Sequence, residues 1–140
     1  MLRRRDRNRH HHRPGRLAVD TFDSVDQVRP YKIWDGAVAR AVRGDRITLG
    51  VIDLEPNVAV PEHHHSNEQL GIVLKGAITM IVAGDRRTLG VGETYVIPGD
   101  VPHAAETGPD GATVIDVFSP IREDWERLER LEPSRGAWPI

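Results

Sequence analysis

Cysteine is absent from this chain. No disulfide can staple it and no thiolate can act as nucleophile or ligand, so any metal chemistry must use nitrogen and oxygen donors. Also missing is any apolar run approaching the roughly 20 residues of a membrane span, and the basic start is not followed by the apolar stretch of a secretion signal. The expectation is a soluble, cytoplasmic protein with no membrane partner. Hydrophobic residues still make up 39% of 140 residues, enough to bury the core of one domain.

The net charge is −2, but it is unevenly spread. Residues 1–16 carry seven arginines against Asp6 alone, so the start is basic and the body acidic. This segment has neither helical periodicity nor interleaved aromatics, and it reads as a disordered basic N-terminal tail with no nucleic-acid partner. His10-His11-His12 within it is too short and too interrupted for a purification tag, and the metal reading is placed elsewhere. Residues 17–45 form an N-terminal extension with weak structural signal around Tyr31-Lys32-Ile33-Trp34.

From Arg46 onward, short β-prone runs alternate with turn residues. Ile47–Leu54, Leu70–Leu74, Ile78–Val82, Thr94–Ile97 and Thr113–Phe118 are the clearest strands. Lys75-Gly76-Ala77, Ala83-Gly84-Asp85, Val91-Gly92-Glu93 and Gly108-Pro109-Asp110-Gly111 supply turn chemistry between them. The spacing predicts an all-β antiparallel sandwich or barrel over 46–118, with Ile78–Val82 and Arg86–Leu89 paired through a tight hairpin. Residues 119–140 are predicted to hold a C-terminal helix and tail. Ser119 is the candidate N-cap and Pro120 the first helical residue, with Ile121, Trp125, Leu128 and Leu131 as the apolar stripe and Pro133 as the stop.

The chemistry concentrates in three histidines. His63 and His65 lie two apart, so on an extended backbone they leave the same face while His64 points away. Gln69 follows after a short connection, and His103 must be brought alongside by the fold. Such a cluster suits one divalent transition metal, with nickel, zinc, iron, manganese and cobalt all compatible. In Thr113–Phe118, Val114, Asp116 and Phe118 share a face, which puts an aspartate inside an apolar strand, either paired or functional.

These residues carry a resemblance. Pro61-Glu-His-His-His-Ser-Asn-Glu-Gln-Leu-Gly-Ile-Val-Leu-Lys-Gly76 resembles the first cupin motif, and Gly92-x(5)-Pro98-Gly99-Asp100-Val101-Pro102-His103 the second. The chain departs from the pattern at three places: Asn57 stands where the first motif usually opens with glycine, Gln69 where glutamate is common, and Asp100 at the second motif's middle glycine. The resemblance implies a single-domain cupin, an antiparallel jelly-roll β-barrel with a short C-terminal helix. It also implies metal ligation by His63, His65, Gln69 and His103. A His₃Gln set is neutral, leaving an ion's full charge to polarise an oxygen.

Asp116-Val117-Phe118-Ser119-Pro120-Ile121-Arg122 is similar to the C-terminal motif of the KdgF-type cupins of pectin and alginate breakdown. That resemblance implies conversion of 4,5-unsaturated uronate monosaccharides to linear 4-deoxy-5-keto uronates. Asp116 would be the proton carrier, Arg122 the clamp for the substrate carboxylate and Phe118 a wall of the pocket. Two alternatives stay open: a metal-dependent dioxygenase or lyase cupin, and a non-catalytic cupin that binds a small anion. A homodimer is expected, with Trp125 and Trp138 as candidate contacts with the partner.

Overall fold

The computed structural model describes residues 21–139. The basic segment 1–16, with His10–His12, lies outside the described residues. The described residues form eight strands: β1 (Tyr31–Trp34), β2 (Ala37–Arg43), β3 (Thr48–Leu54), β4 (Ala59–His63), β5 (Glu68–Val82), β6 (Asp85–Leu89), β7 (Thr94–Ile97) and β8 (His103–Ser119). All pairings are antiparallel.

β5 and β8 run beside one another for their whole length and exchange outer partners midway. β8 pairs with β4 in its first part and β3 in its second, while β5 pairs with β7 and then β6. The exchange closes two sheets into a barrel around one core of Ala39, Ile52, Val73, Ile97, Val114 and Phe118. Each of the larger side chains contributes about 1.5–3 kcal/mol through burial.

Two expected turns are bends within strands. Lys75-Gly76-Ala77 and Gly108–Gly111 do not end their strands; β5 carries bulges between Val73 and Lys75 and between Gly76 and Ile78. Gly76 (φ 69°) and Gly111 (φ 64°) meet there, and a Cβ on Gly76 would strike the Gly111 carbonyl oxygen. Glycine gives the paired strands a corner that other residues would block. The predicted hairpin forms as read, with Val82 opposite Asp85 and Ile78 opposite Leu89.

The N-terminal extension is more structured than its pattern announces. β1 and β2 form a hairpin, and β2 joins β3 over seven consecutive residue pairs. After β8, the short helix is a single 3₁₀ turn, Trp125–Arg127, rather than the longer amphipathic helix read from the apolar spacing. Tertiary contacts take its backbone instead. The Arg122 amide donates to the Thr48 hydroxyl, and Lys32 and Leu131 donate to the Glu129 and Pro30 carbonyls, laying residues 129–131 against β1. Trp125 enters the core, so the apolar spacing recorded packing positions and not a helical stripe.

Candidate metal and acid–base site

Four elements deliver the site. His63 ends β4 and lies opposite His103 at the start of β8, while Gln69 near the start of β5 pairs with both Phe118 and Ile97. The three imidazoles converge: their ligand atoms all lie within 4.8 Å of one another. His64 is exposed, with Asp100 4.0 Å from its ring nitrogen.

Each ring is oriented from behind. Nδ1 of His63 donates to the Pro61 carbonyl at 2.8 Å, that of His65 to Asn67 at 3.0 Å, and that of His103 to Val101 at 2.8 Å. A carbonyl can only accept, so the proton resides on Nδ1 and Nε2 faces inward as a lone pair. The Nε2 of His103 is buried without a hydrogen-bond partner. The Nε2 of His65 faces the Gln69 Oε1 at 3.1 Å, two acceptors turned toward each other. Buried acceptors in that arrangement suit a cation between them, so the residues present fit a divalent ion held by nitrogen and oxygen. Burial first, then the charge of Arg122 and the neighbouring His103, lowers the His65 pKa to about 4. Burial likewise lowers that of His103. Both rings therefore stay neutral, the form that can ligate.

Asp116 occupies the next rung of the sheet. It lies between Gly50 on β3 and Gly71 on β5, and Tyr95 on β7 lies opposite Gly71. The two glycines leave room for aromatic rings: a Cβ on Gly71 would land within the Tyr95 ring, and one on Gly50 would come 3.2 Å from Trp125. The fully buried Asp116 carboxylate accepts from the Gln69 Nε2 at 3.1 Å on one oxygen and from the Tyr95 hydroxyl on the other. Burial raises its pKa to about 7, against the hydrogen bond from Tyr95 and the charge of Arg122. Burial and Asp116 push the Tyr95 phenol well above its ordinary value.

That geometry gives Gln69 a physical reason. An amide can present its oxygen to the histidines and its NH₂ to Asp116. A glutamate there would set two carboxylates side by side in a buried site.

Phe118 and Arg122 line the cavity beside the histidines. The guanidinium lies 4.7 Å from the Phe118 ring centre and 4.6 Å from that of Trp125. Arg122 is not the solvated surface residue that a helical first turn would make it. Its Nε and Nη2 are held by Asp124 at 3.0 and 2.9 Å, so that edge is already paired, while Nη1 has no hydrogen-bond partner among the described residues. Arg122 and Trp125 wall both a cavity of about 70 Å³ beside the histidines and a wider cleft of about 460 Å³ lined by Arg29, Arg43 and Arg130.

Tyr95 and Trp34 were not singled out from sequence. The Trp34 ring lies 5.2 Å from that of His63. The available signal for Tyr95 was its alternation with Ile97 on the inward face of β7. The other two departures from the cupin pattern also find their cause: Asn57 (φ 57°) and Asp100 (φ 62°) are both left-handed, a conformation asparagine and aspartate tolerate better than other non-glycine residues.

An antiparallel barrel that gathers three histidines able to hold a metal ion defines a small all-β domain. Residues 50–118 match the cupin domain. It is 28% identical over 68 residues to the pectin degradation protein KdgF of Dickeya dadantii, covering 49% of this chain and 62% of that protein. It is 34% identical over 89 residues to an H2HPP isomerase of Bacillus subtilis, covering 60% of this chain and 37% of the other. This chain thus spans less than two thirds of the length of either curated relative. The solved structure of KdgF from Halomonas sp. superimposes with a TM-score of 0.63 at 26% identity, over 68% of this chain and 88% of that one. Among the described residues no helix is long and apolar enough to cross a membrane.

Proposed function

We propose that this cupin is a metal-dependent isomerase of sugar acids, converting a 4,5-unsaturated uronate to its linear 4-deoxy-5-keto form in the cytoplasm. The observation that carries the reading is the chain His65–Gln69–Asp116–Tyr95, which couples a ligand cluster to a buried proton carrier through one amide. Similarity to KdgF and to an isomerase supports the substrate class and the reaction type. A divalent ion held by His63, His65, His103 and Gln69 would supply Lewis-acid polarisation of a substrate oxygen.

The remaining chemistry belongs to the protein. Ring opening leaves an enol, and its ketone forms when a proton leaves the enol oxygen and another reaches carbon 4. Asp116 carries that proton, and a pKa near neutrality lets it both accept and donate. Arg122 holds the substrate carboxylate through Nη1 with Asp124 bracing its other edge, and Phe118 and Trp125 keep the guanidinium in place. Tyr95 positions Asp116. The reading includes a homodimer as the working unit and a small carboxylate-bearing ligand.

The test is to add the metal-loaded protein to freshly made unsaturated uronate and follow loss of ultraviolet absorbance. Faster decay is expected, and Asp116→Asn should lower the rate by about 100-fold or more. Decay at the spontaneous rate sinks the assignment. Substrate-dependent oxygen uptake would favour the dioxygenase alternative instead.

A further inference from the structure

Regular β alternation would turn Trp34 to the same face as the exposed Lys32, two residues before it. A bulge prevents this. Lys32 pairs with Val38 and Trp34 with Ala37, so two steps of β1 meet one step of β2. Ala37 belongs to the core, so the shift in register brings Trp34 to the inward side of the sheet beside Ile33. Both residues line the cavity that contains His63, Gln69, His103 and Asp116. They come from the segment before residue 50, outside the part that matches the cupin domain.

The indole is not packed as a core residue would be. Trp125 is 5% exposed, whereas Trp34 is half-buried at the edge of the core. Its ring lies 5.2 Å from that of His63. Trp34 also borders a separate cleft of about 360 Å³, lined by Lys32, Gly36, Glu55, Glu129 and Leu131. Only Trp34 and Ala37 line both spaces, and alanine is too small to divide them. Trp34 is therefore the partition between the histidine cavity and open space beyond it.

That partition has to yield to a sugar acid. The histidine cavity of about 70 Å³ has room for about two waters at about 30 Å³ each. A hexuronate, with about a dozen non-hydrogen atoms, does not fit inside it. Elsewhere in the wall, Arg122 is held by Asp124 and Trp125 lies in the core, so both are fixed. We infer that Trp34 is the substrate-contacting wall: its indole turns toward the outer cleft to admit the sugar acid and stacks on the flat face of the unsaturated ring. Conjugation of the C4=C5 bond with the carboxylate holds carbons 4, 5 and 6 and the ring oxygen in one plane, which a π face covers in offset stacking. A saturated uronate is a puckered chair without that plane. Trp34 thus selects unsaturated from saturated sugar acids.

The inference rests on the sugar-acid reading and adds the residue that recognises the double bond. In the metal-loaded full chain, Trp34→Leu should raise KM for the unsaturated uronate about tenfold, with a smaller effect on kcat. The inhibition constant of saturated galacturonate should move by less than about twofold, a split that a structural defect alone does not produce. Trp34→Phe keeps a smaller π face and should fall between the two proteins. A folded Leu variant with the wild-type KM overturns the inference, as does an equal rise in KM and in the inhibition constant. Should the Leu variant fail to fold, a Phe variant with the wild-type KM overturns it instead. Each of these outcomes leaves the sugar-acid reading standing, because the wild type still turns over. A wild type that leaves the substrate at its spontaneous decay rate removes that reading, and this inference with it.

Discussion

Gln69→Glu tests the link between the ligand cluster and Asp116. In the wild type the Gln69 NH₂ donates to Asp116 at 3.1 Å. The substitution replaces that donor with a second carboxylate, nearly isosteric, so packing is preserved. Two charges about 4 Å apart repel by about 4 kcal/mol at an effective dielectric of 20, equivalent to about 3 pK units. The pair would retain a proton well above the value near 7 that Asp116 has alone. The unfolded chain releases both protons below neutrality. A raised carboxyl pKa therefore contributes stability in acid that is lost as pH rises. The metal-free variant should match the wild type within about 1 kcal/mol at pH 5 and fall below it by about 4 kcal/mol at pH 8. Denaturant unfolding of both proteins, metal removed by chelator, reads the difference. The same wild-type-to-variant gap at both pH values would refute the coupling.

Two further predictions concern the same rungs. His65, held near pKa 4 by burial, is neutral in the fold where the unfolded chain would protonate it. The metal-free protein should thus lose about 1–2 kcal/mol of stability as pH falls from 6.5 toward 4, discounted for partial exposure, and His65→Asn should remove that slope; an unchanged slope in unfolding curves counts against it. Gly71→Ala places a Cβ within the Tyr95 ring. It should cost about 1–3 kcal/mol and slow turnover by dislodging the Asp116 partner, whereas Gly84→Ala, whose Cβ meets open space but whose φ of 82° is unfavourable, should cost stability without the kinetic loss. Equal turnover in the two variants would remove Tyr95 from the positioning role.

Composition and spacing determined much of this protein in advance. Absence of cysteine set the donor type, period-two alternation placed His63, His65, Asp116 and Phe118 on their faces, and turn residues marked the β6 hairpin. Such features are local, decided by a few neighbouring residues, and a linear reading reaches them. Glycine was ambiguous: Gly76 and Gly111 look like turns in sequence because a bend and a chain reversal both need φ > 0, and only strand pairing separates the two.

Tertiary structure alone decided the rest. The spacing of Ile121, Trp125, Leu128 and Leu131 resembles a helix, but β1 and Thr48 offer that backbone other partners and Gly50 offers Trp125 a seat. Tyr95 joins Asp116 only because β7 and β8 flank β5, a neighbourhood set by strand order across 21 residues of separation. The same holds for Gln69, whose role between histidine and aspartate depends on which way one amide faces. Sequence specified which groups were present and which face of a strand they took. Which groups met was settled by long-range pairing, because contact between distant strands is a property of the closed barrel and of no single segment.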